Sequence, residues 1–208
     1  MIYVFKVYFR HPINYFYFFI IFLLLYVSVV SSAMTIYWPL AFTLLIAPWF
    51  EWVVHKYFLH KRYFSANKWL QEYFDSIHYF HHNDPKIVRF IFAPFPVPLT
   101  IPMIFFSIFS ILFWDWKAGV VGGFFSLSYY MYYEWIHLAH HIDSYTPITK
   151  RGKMLKKAHQ WHHFKNENFW WGVTSSFGDK TLKTYMNPKE VEKSPTVRDF
   201  SASQKVSR

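Results

Sequence analysis

The chain contains no cysteine in its 208 residues. Disulfides, thiolate zinc sites, cysteine-ligated iron–sulfur clusters and a cysteine nucleophile are therefore excluded, and any metal must be held by nitrogen or oxygen. Charge is also scarce. Charged residues make up 16% of the chain, against about 25% in an ordinary soluble domain. Between Pro12 and Phe50 there is no charged residue at all. The six glycines form no dinucleotide-binding motif. What is abundant is apolar and aromatic side chains, 53% and 25% of the chain respectively. A composition so rich in Phe, Leu and Ile excludes disorder, and the length allows one domain.

A bilayer span needs about 20 apolar residues. The uncharged stretches supply four spans, at about 13–30, 37–54, 91–113 and 118–135. Short turns are expected at Ser31–Thr35 and Asp115–Lys117. Pro94, Pro96, Pro98 and Pro102 break up the approach to the third span. Gly119 and Gly123 read as a close helix contact. The N-terminus resembles a signal peptide, but its apolar run exceeds the usual core of about 7–15 residues and a second span follows at once. An uncleaved anchor is expected.

Lys and Arg orient these spans. The N-terminal segment, the segment Lys56–Arg89 and the chain after Ile136 carry 21 of the 22 basic residues. The turn between spans three and four carries the remaining one, Lys117. This bias predicts that both termini are cytosolic. The net charge of +10 is thus a membrane feature. No basic patch on a soluble module suggests nucleic acid. The expected fold is an all-α integral membrane protein, with four transmembrane helices and a cytosolic helical cap. Residues 1–186 form that membrane domain and 187–208 a mobile polar tail.

The 12 histidines carry the chemistry. Apart from His11, all fall in short clusters: His55 and His60; His78, His81 and His82; His137, His140 and His141; His159, His162 and His163. The last three clusters share the spacing H-x-x-H-H. At about 100° per residue, positions i, i+3 and i+4 fall on one helix face. Each triplet is expected to aim three imidazoles at one point. His55 and His60 are five apart and are expected to straddle a helix end, reaching a shared centre from different sides. The Lys and Arg distribution puts all four clusters beside the cytosolic face. So many imidazoles packed together would repel when protonated and need partners when buried, and metal binding resolves both problems. All 11 are candidate ligands, enough for two metals. Ligand type leaves Zn, Cu, Fe and Ni open, but a structural zinc site needs only four ligands. An oxygen-activating di-iron centre suits the surplus better.

At these residues the chain resembles the fatty acid hydroxylase/sterol desaturase superfamily of membrane di-iron oxygenases, over about Trp49–Thr184. It is most similar to the fatty acid 2-hydroxylase branch. HKYFLH, HYFHHNDP with FAPFPVP, and HQWHHFKNENFWWGVTSSFGDKTLKTY look like three of that branch's histidine segments. The branch's remaining box is spaced H-x-x-x-H, which His137 and His141 satisfy, with His140 as an additional neighbour. The resemblance implies a four-helix membrane fold, two Fe ions (replaceable by zinc on purification), O₂ as co-substrate and a lipid acyl substrate. It implies hydroxylation, at or near C2 of a fatty acid or ceramide acyl chain. Sterol or carotenoid oxidation or desaturation, and a metal- or lipid-binding membrane protein without turnover, are the alternatives. No His-Pro-Gly-Gly haem motif occurs in the sequence. Electrons are therefore expected from an external donor of cytochrome b5 or ferredoxin type. The membrane would be the endoplasmic reticulum in a eukaryote, or the inner or plasma membrane in a bacterium.

Glu51 and Glu134 precede His55 and His137 by four and three residues and are candidates to accept a hydrogen bond from a ligand's second ring nitrogen. Asp75, Asp143 and Asp179 read as solvated or capping residues. Asn83, Asn166 and Asn168 suit turns. Trp161, Trp170 and Trp171 are candidates to line an acyl channel, against ordinary packing as the default.

Overall fold

The computed structural model describes residues 1–33 and 37–198. Among these, every regular element is helical. In chain order they are α1 (Ile2–Tyr8), α2 (Pro12–Val30), α3 (Trp38–Val53), a π-helical turn (Val54–Leu59), α4 (Lys68–Ile77), α5 (Tyr79–Asn83), α6 (Thr100–Phe113), α7 (Trp116–His141), α8 (Lys150–Phe164) and α9 (Phe177–Thr181). Single 3-10 turns sit at Val88–Phe90 and Val97–Leu99. The chain divides into two compact units, one of Ile2–Ala47 with Phe95–Trp135, the other of Pro48–Pro94 with the chain from Ile136.

The first unit carries the most apolar helices. α2 has 19 residues, none charged, and starts with proline at its first turn, where the missing N–H costs nothing. Phe19, Phe22, Leu23, Tyr26 and Val30 on it are exposed. Among the described residues it is the one helix long and apolar enough to cross a bilayer. The other expected spans are shorter or less uniform as helices. α3 has 16 residues and gives way to the π-helical turn. The prolines delay α6 to Thr100, leaving it 14 residues. α7 has 26 residues but ends in Glu134 and the histidines.

The turn expected at Asp115–Lys117 forms slightly earlier, at Trp114 and Asp115, and Trp116 and Lys117 open α7. Trp114 takes a left-handed backbone with φ 49°, and the Asp115 carboxylate accepts from the Lys117 N–H at 2.9 Å. A Cβ on Gly119 would lie 2.0 Å from Ser110 Oγ, and one on Gly122 would lie 2.3 Å from the Phe109 ring. One on Gly123 would make only ordinary contact, 3.5 Å from the Pro102 carbonyl. Close packing of α7 on α6 thus rests on Gly119 and Gly122. The expected turn after span one is formed at Ser31–Ser32, while Met34 and Thr35 lie outside the described residues.

The second unit is tied together by side chains on its loops. Asn67 caps α4 by accepting from the Leu70 N–H at 3.1 Å, and Thr149 caps α8 by accepting from the Gly152 N–H at 3.0 Å. Asp75 is neither solvated nor a cap. It is buried and takes Arg62 in a two-point ion pair at 2.8 and 3.0 Å, which holds the loop ahead of α4. A Cβ on Gly178 would come within 2.5 Å of the Pro48 carbonyl, so α9 seats directly on the end of α3.

Residues 187–198, expected to belong to a mobile tail, are packed instead. Val191, Ser194 and Val197 are buried. The Ser194 N–H donates to the Lys165 carbonyl at 2.8 Å, and the hydroxyls of Ser194 and Thr196 donate to the buried Glu167 at 3.0 and 2.5 Å. A polar sequence docks here because a buried carboxylate needs donors. The remainder of that expectation, 199–208, lies outside the described residues.

Candidate metal centre

All 11 clustered histidines belong to the second unit. Ten of them converge in two groups. His55, His60, His78, His82 and His162 form one, and His81, His137, His141, His159 and His163 the other. Within each group, one ligand atom per residue lies within 4.8 Å of every other. His140 joins neither group. It is buried, its ring centroid is 5.5 Å from that of His159, and its Nδ1 has no hydrogen-bond partner.

The triplets do not each aim at one point. In every H-x-x-H-H the i and i+4 members share a centre and the i+3 member departs. His78 and His82 join the first group while His81 joins the second. His159 and His163 join the second group while His162 joins the first. His137 and His141 join the second group, and His140 is left out. Two features account for this. On α7 and α8 the i+3 position lies on the flank of the face that i and i+4 share. At the second triplet the helix also breaks, because His78 has φ −158° between α4 and α5. Each group is therefore two same-face pairs plus one single ring.

The pair His55 and His60 is made by the π-helical turn. Its wider winding closes a hydrogen bond from the His60 N–H to the His55 carbonyl at 3.1 Å and brings residues five apart together. The two rings are 5.0 Å apart. His60 does end the helix, but the wide turn, rather than an approach from different sides, brings the pair to one centre.

Several ring nitrogens are fixed by backbone carbonyls. His55 Nδ1 donates to the Trp171 carbonyl at 2.6 Å, and His162 Nδ1 donates to the Phe169 carbonyl at 2.8 Å. Such a bond selects the tautomer that leaves Nε2 free. The Nε2 atoms then face one another, His55 to His78 at 3.1 Å, His60 to His162 at 3.1 Å and His141 to His159 at 2.8 Å.

These residues fit a pair of metal ions. A metal–imidazole bond of about 2.1 Å sets neighbouring ligand nitrogens about 3.0–3.4 Å apart. His81 and His163 are fully buried, yet neither ring nitrogen of either has a hydrogen-bond partner. Buried polar atoms without partners are costly and rare in stable proteins. Burial also holds every ring of both groups below the ordinary histidine range, with His55 down at about 4 and His141 at about 3, the latter pushed further by His140 and Lys156. Neutral imidazole is the form that ligates metal.

Glu51 does not reach a histidine ring as expected. Its carboxylate is buried and accepts from the N–H groups of Val173 and Thr174 and from the Thr174 hydroxyl. Glu134 belongs to the other unit, where it accepts from the Tyr130 hydroxyl. Asp143 is exposed and pairs with Lys86 at 3.3 Å, a surface role. Asp179, expected to be solvated or to cap, is buried instead, which pushes its carboxyl above the usual range. Trp170 and Trp161 pack with Ala158 and Val191 in a small core, whereas Trp171 lies against the rings of His55, His60 and His162. Asn166 forms a local turn, accepting from the Asn168 N–H at 3.0 Å.

A helical chain holding two five-histidine clusters, nine of the ten rings buried, has the make-up of the histidine-box class. Residues 40–184 match the fatty acid hydroxylase family model, and the chain belongs to that family. It is 31% identical over 147 residues to the ceramide very long chain fatty acid hydroxylase SCS7 of Saccharomyces cerevisiae, a match covering 67% of this chain and 37% of the yeast protein. It is 30% identical over 146 residues to the dihydroceramide fatty acyl 2-hydroxylase FAH1 of Arabidopsis thaliana, covering 69% of this chain and 59% of the plant protein. The chain thus spans less than two thirds of either relative. The solved hydroxylase domain of full-length Scs7p aligns with 93% of this chain and 65% of that one at a TM-score of 0.57 and 20% identity, a likeness of fold.

Proposed function

We propose that this chain is an O₂-dependent hydroxylase of a lipid acyl chain, acting at or near C2 of a fatty acyl or ceramide substrate. The observation that carries the reading is the pair of five-histidine groups in a member of the fatty acid hydroxylase family. Two relatives whose names specify ceramide or dihydroceramide fatty acyl hydroxylation support the substrate class. Five imidazoles exceed the four of a closed structural zinc site, and a sixth position in each shell can take an exogenous ligand.

His55, His60, His78, His82 and His162 would hold one ion, and His81, His137, His141, His159 and His163 the other. When bound, iron would supply reductive activation of O₂, by which one oxygen enters a C–H bond and the other leaves as water. The balance needs two electrons and two protons per turnover, from an external one-electron donor of cytochrome b5 or ferredoxin type. The protein's part is to keep the imidazoles neutral, fix the tautomers of His162 and His55 through the Phe169 and Trp171 carbonyls, and bury the centre away from water. The same reading places four spans in the bilayer with both termini on the cytosolic side.

Lipid extracts from cells with and without the gene test the reaction. A lipid gaining one oxygen, localised to the acyl chain and absent with His81→Ala, is expected. Loss of two hydrogens in place of that gain would make the protein a desaturase and overturn the proposal.

A further inference from the structure

The loop Phe169–Thr174 has an unusual backbone environment. Four consecutive N–H groups in it end on two buried carboxylates. Those of Trp171 and Gly172 donate to Asp179 at 2.9 and 2.7 Å. Those of Val173 and Thr174 donate to Glu51. The Thr174 hydroxyl adds a further bond to Glu51, and the Thr184 hydroxyl adds one to Asp179 at 2.6 Å. Thr184 is itself held by the Trp52 indole N–H at 2.8 Å. The clamp thus joins the end of α3 to the loop on one side and α9 to it on the other.

Two of the loop's carbonyls are taken by histidine rings. That of Phe169 takes His162 Nδ1 and that of Trp171 takes His55 Nδ1. Both are members of the first histidine group. Peptide planes are rigid, so fixing the N–H of Gly172 fixes the direction of the Trp171 carbonyl. The plane of the Phe169 carbonyl is fixed at its Trp170 N–H, which donates to the carbonyl of Thr184 at 3.1 Å, the residue whose hydroxyl is bound to Asp179. There is no room for a side chain at position 172, since a Cβ there would lie 2.0 Å from the Ser175 carbonyl. Placing two carboxylates in the interior is costly, and donors aligned along one strap are what offset the cost.

We propose that Glu51 and Asp179 are positioning residues for the first metal, acting through the strap Phe169–Thr174, whose carbonyls set the tautomer and aim of His55 and His162. The inference rests on the proposed two-metal reading and assigns the clamp to one ion of the two. It predicts a selective effect. Weakening the clamp loosens the ion held by His55, His60, His78, His82 and His162, and leaves the ion held by the second group.

The experiment uses the full chain in detergent, stripped of metal and titrated with Co²⁺, with binding read by absorption and by bound-metal analysis. Wild type is expected to take two equivalents; fewer than two overturns the two-metal reading itself, apart from the clamp. Asp179→Asn and Glu51→Gln are expected to weaken one equivalent by about 10- to 100-fold and leave the other unchanged. Combination with ligand variants assigns the loss. In a His81→Ala background, Asp179→Asn should remove the remaining tight equivalent; in a His55→Ala background it should leave it. Thr174→Val and Thr184→Val each delete a single hydroxyl donor and should show the same selectivity at smaller size, which keeps the test open if a carboxylate variant fails to fold. Equal weakening of both equivalents, or no change in either, overturns the clamp.

Discussion

His140 and His141 are neighbours in sequence with different environments. His140 is buried and His141 half-buried, and loss of solvation with the nearby Lys156 charge holds both at about pKa 3. Only His141 faces the ring nitrogen of a second histidine, His159 Nε2 at 2.8 Å. The Lys156 ammonium close by is tied to the Ile142 and Tyr145 carbonyls at 2.7 and 2.6 Å, so it stabilises the chain beyond α7. His140 belongs to neither histidine group. His140→Ala is expected to keep two metal equivalents and lose only packing energy. His141→Ala should lose one equivalent, an effect larger than the about 10- to 100-fold typical of residues outside the ligand set. Metal analysis of the two purified variants checks this, and equal loss in both would return His140 to the ligand set.

The elements differ in how readable they were. The triplets on α7 and α8 announced themselves through i, i+4 spacing, since same-face pairs follow from helix geometry. Their division between two centres did not, because it depends on where other helices place their rings. The π-helical turn at Val54–Leu59 was hidden as well. Five-residue spacing is out of phase for an α-helix, and nothing local marks a wider winding. Glu51 was legible as a buried acid near a cluster, but its partners are 122 and 123 residues away in sequence. Asp179 looked like a surface residue because Lys180 and Lys183 flank it. The one cue was glycine: Gly172 sits in a run of aromatic and β-branched residues, and such a glycine marks a close backbone approach. That approach makes the strap sensitive to volume. Gly172→Ala is expected to cost about 1–3 kcal/mol as overpacking against backbone, because the Ser175 carbonyl stands 2.0 Å from the new methyl. Thermal unfolding of the metal-free variant checks the cost. An unchanged melting temperature would mean that the strap yields freely.

At the scale of the whole chain, the distribution of Lys and Arg makes a prediction independent of the histidines. Of the 22 basic residues, Lys117 alone lies at the α6–α7 turn, as the second residue of α7. A bilayer that retains basic segments on its cytosolic side leaves that turn on the opposite side from Lys61 and Lys189. The absence of cysteine makes this directly measurable, since any introduced thiol is unique. Trp116, Lys61 and Lys189 are exposed, so cysteine at each is open to reagent. In intact cells or sealed vesicles of known orientation, a membrane-impermeant maleimide should label Trp116→Cys from the non-cytosolic face. Lys61→Cys and Lys189→Cys should react from that face only after permeabilisation. Four crossings require this split. If all three thiols react together from one face, no single crossing separates the turn from the histidine-bearing segments. The spans expected at 91–113 and 118–135 would then be a hairpin that dips into the bilayer and returns.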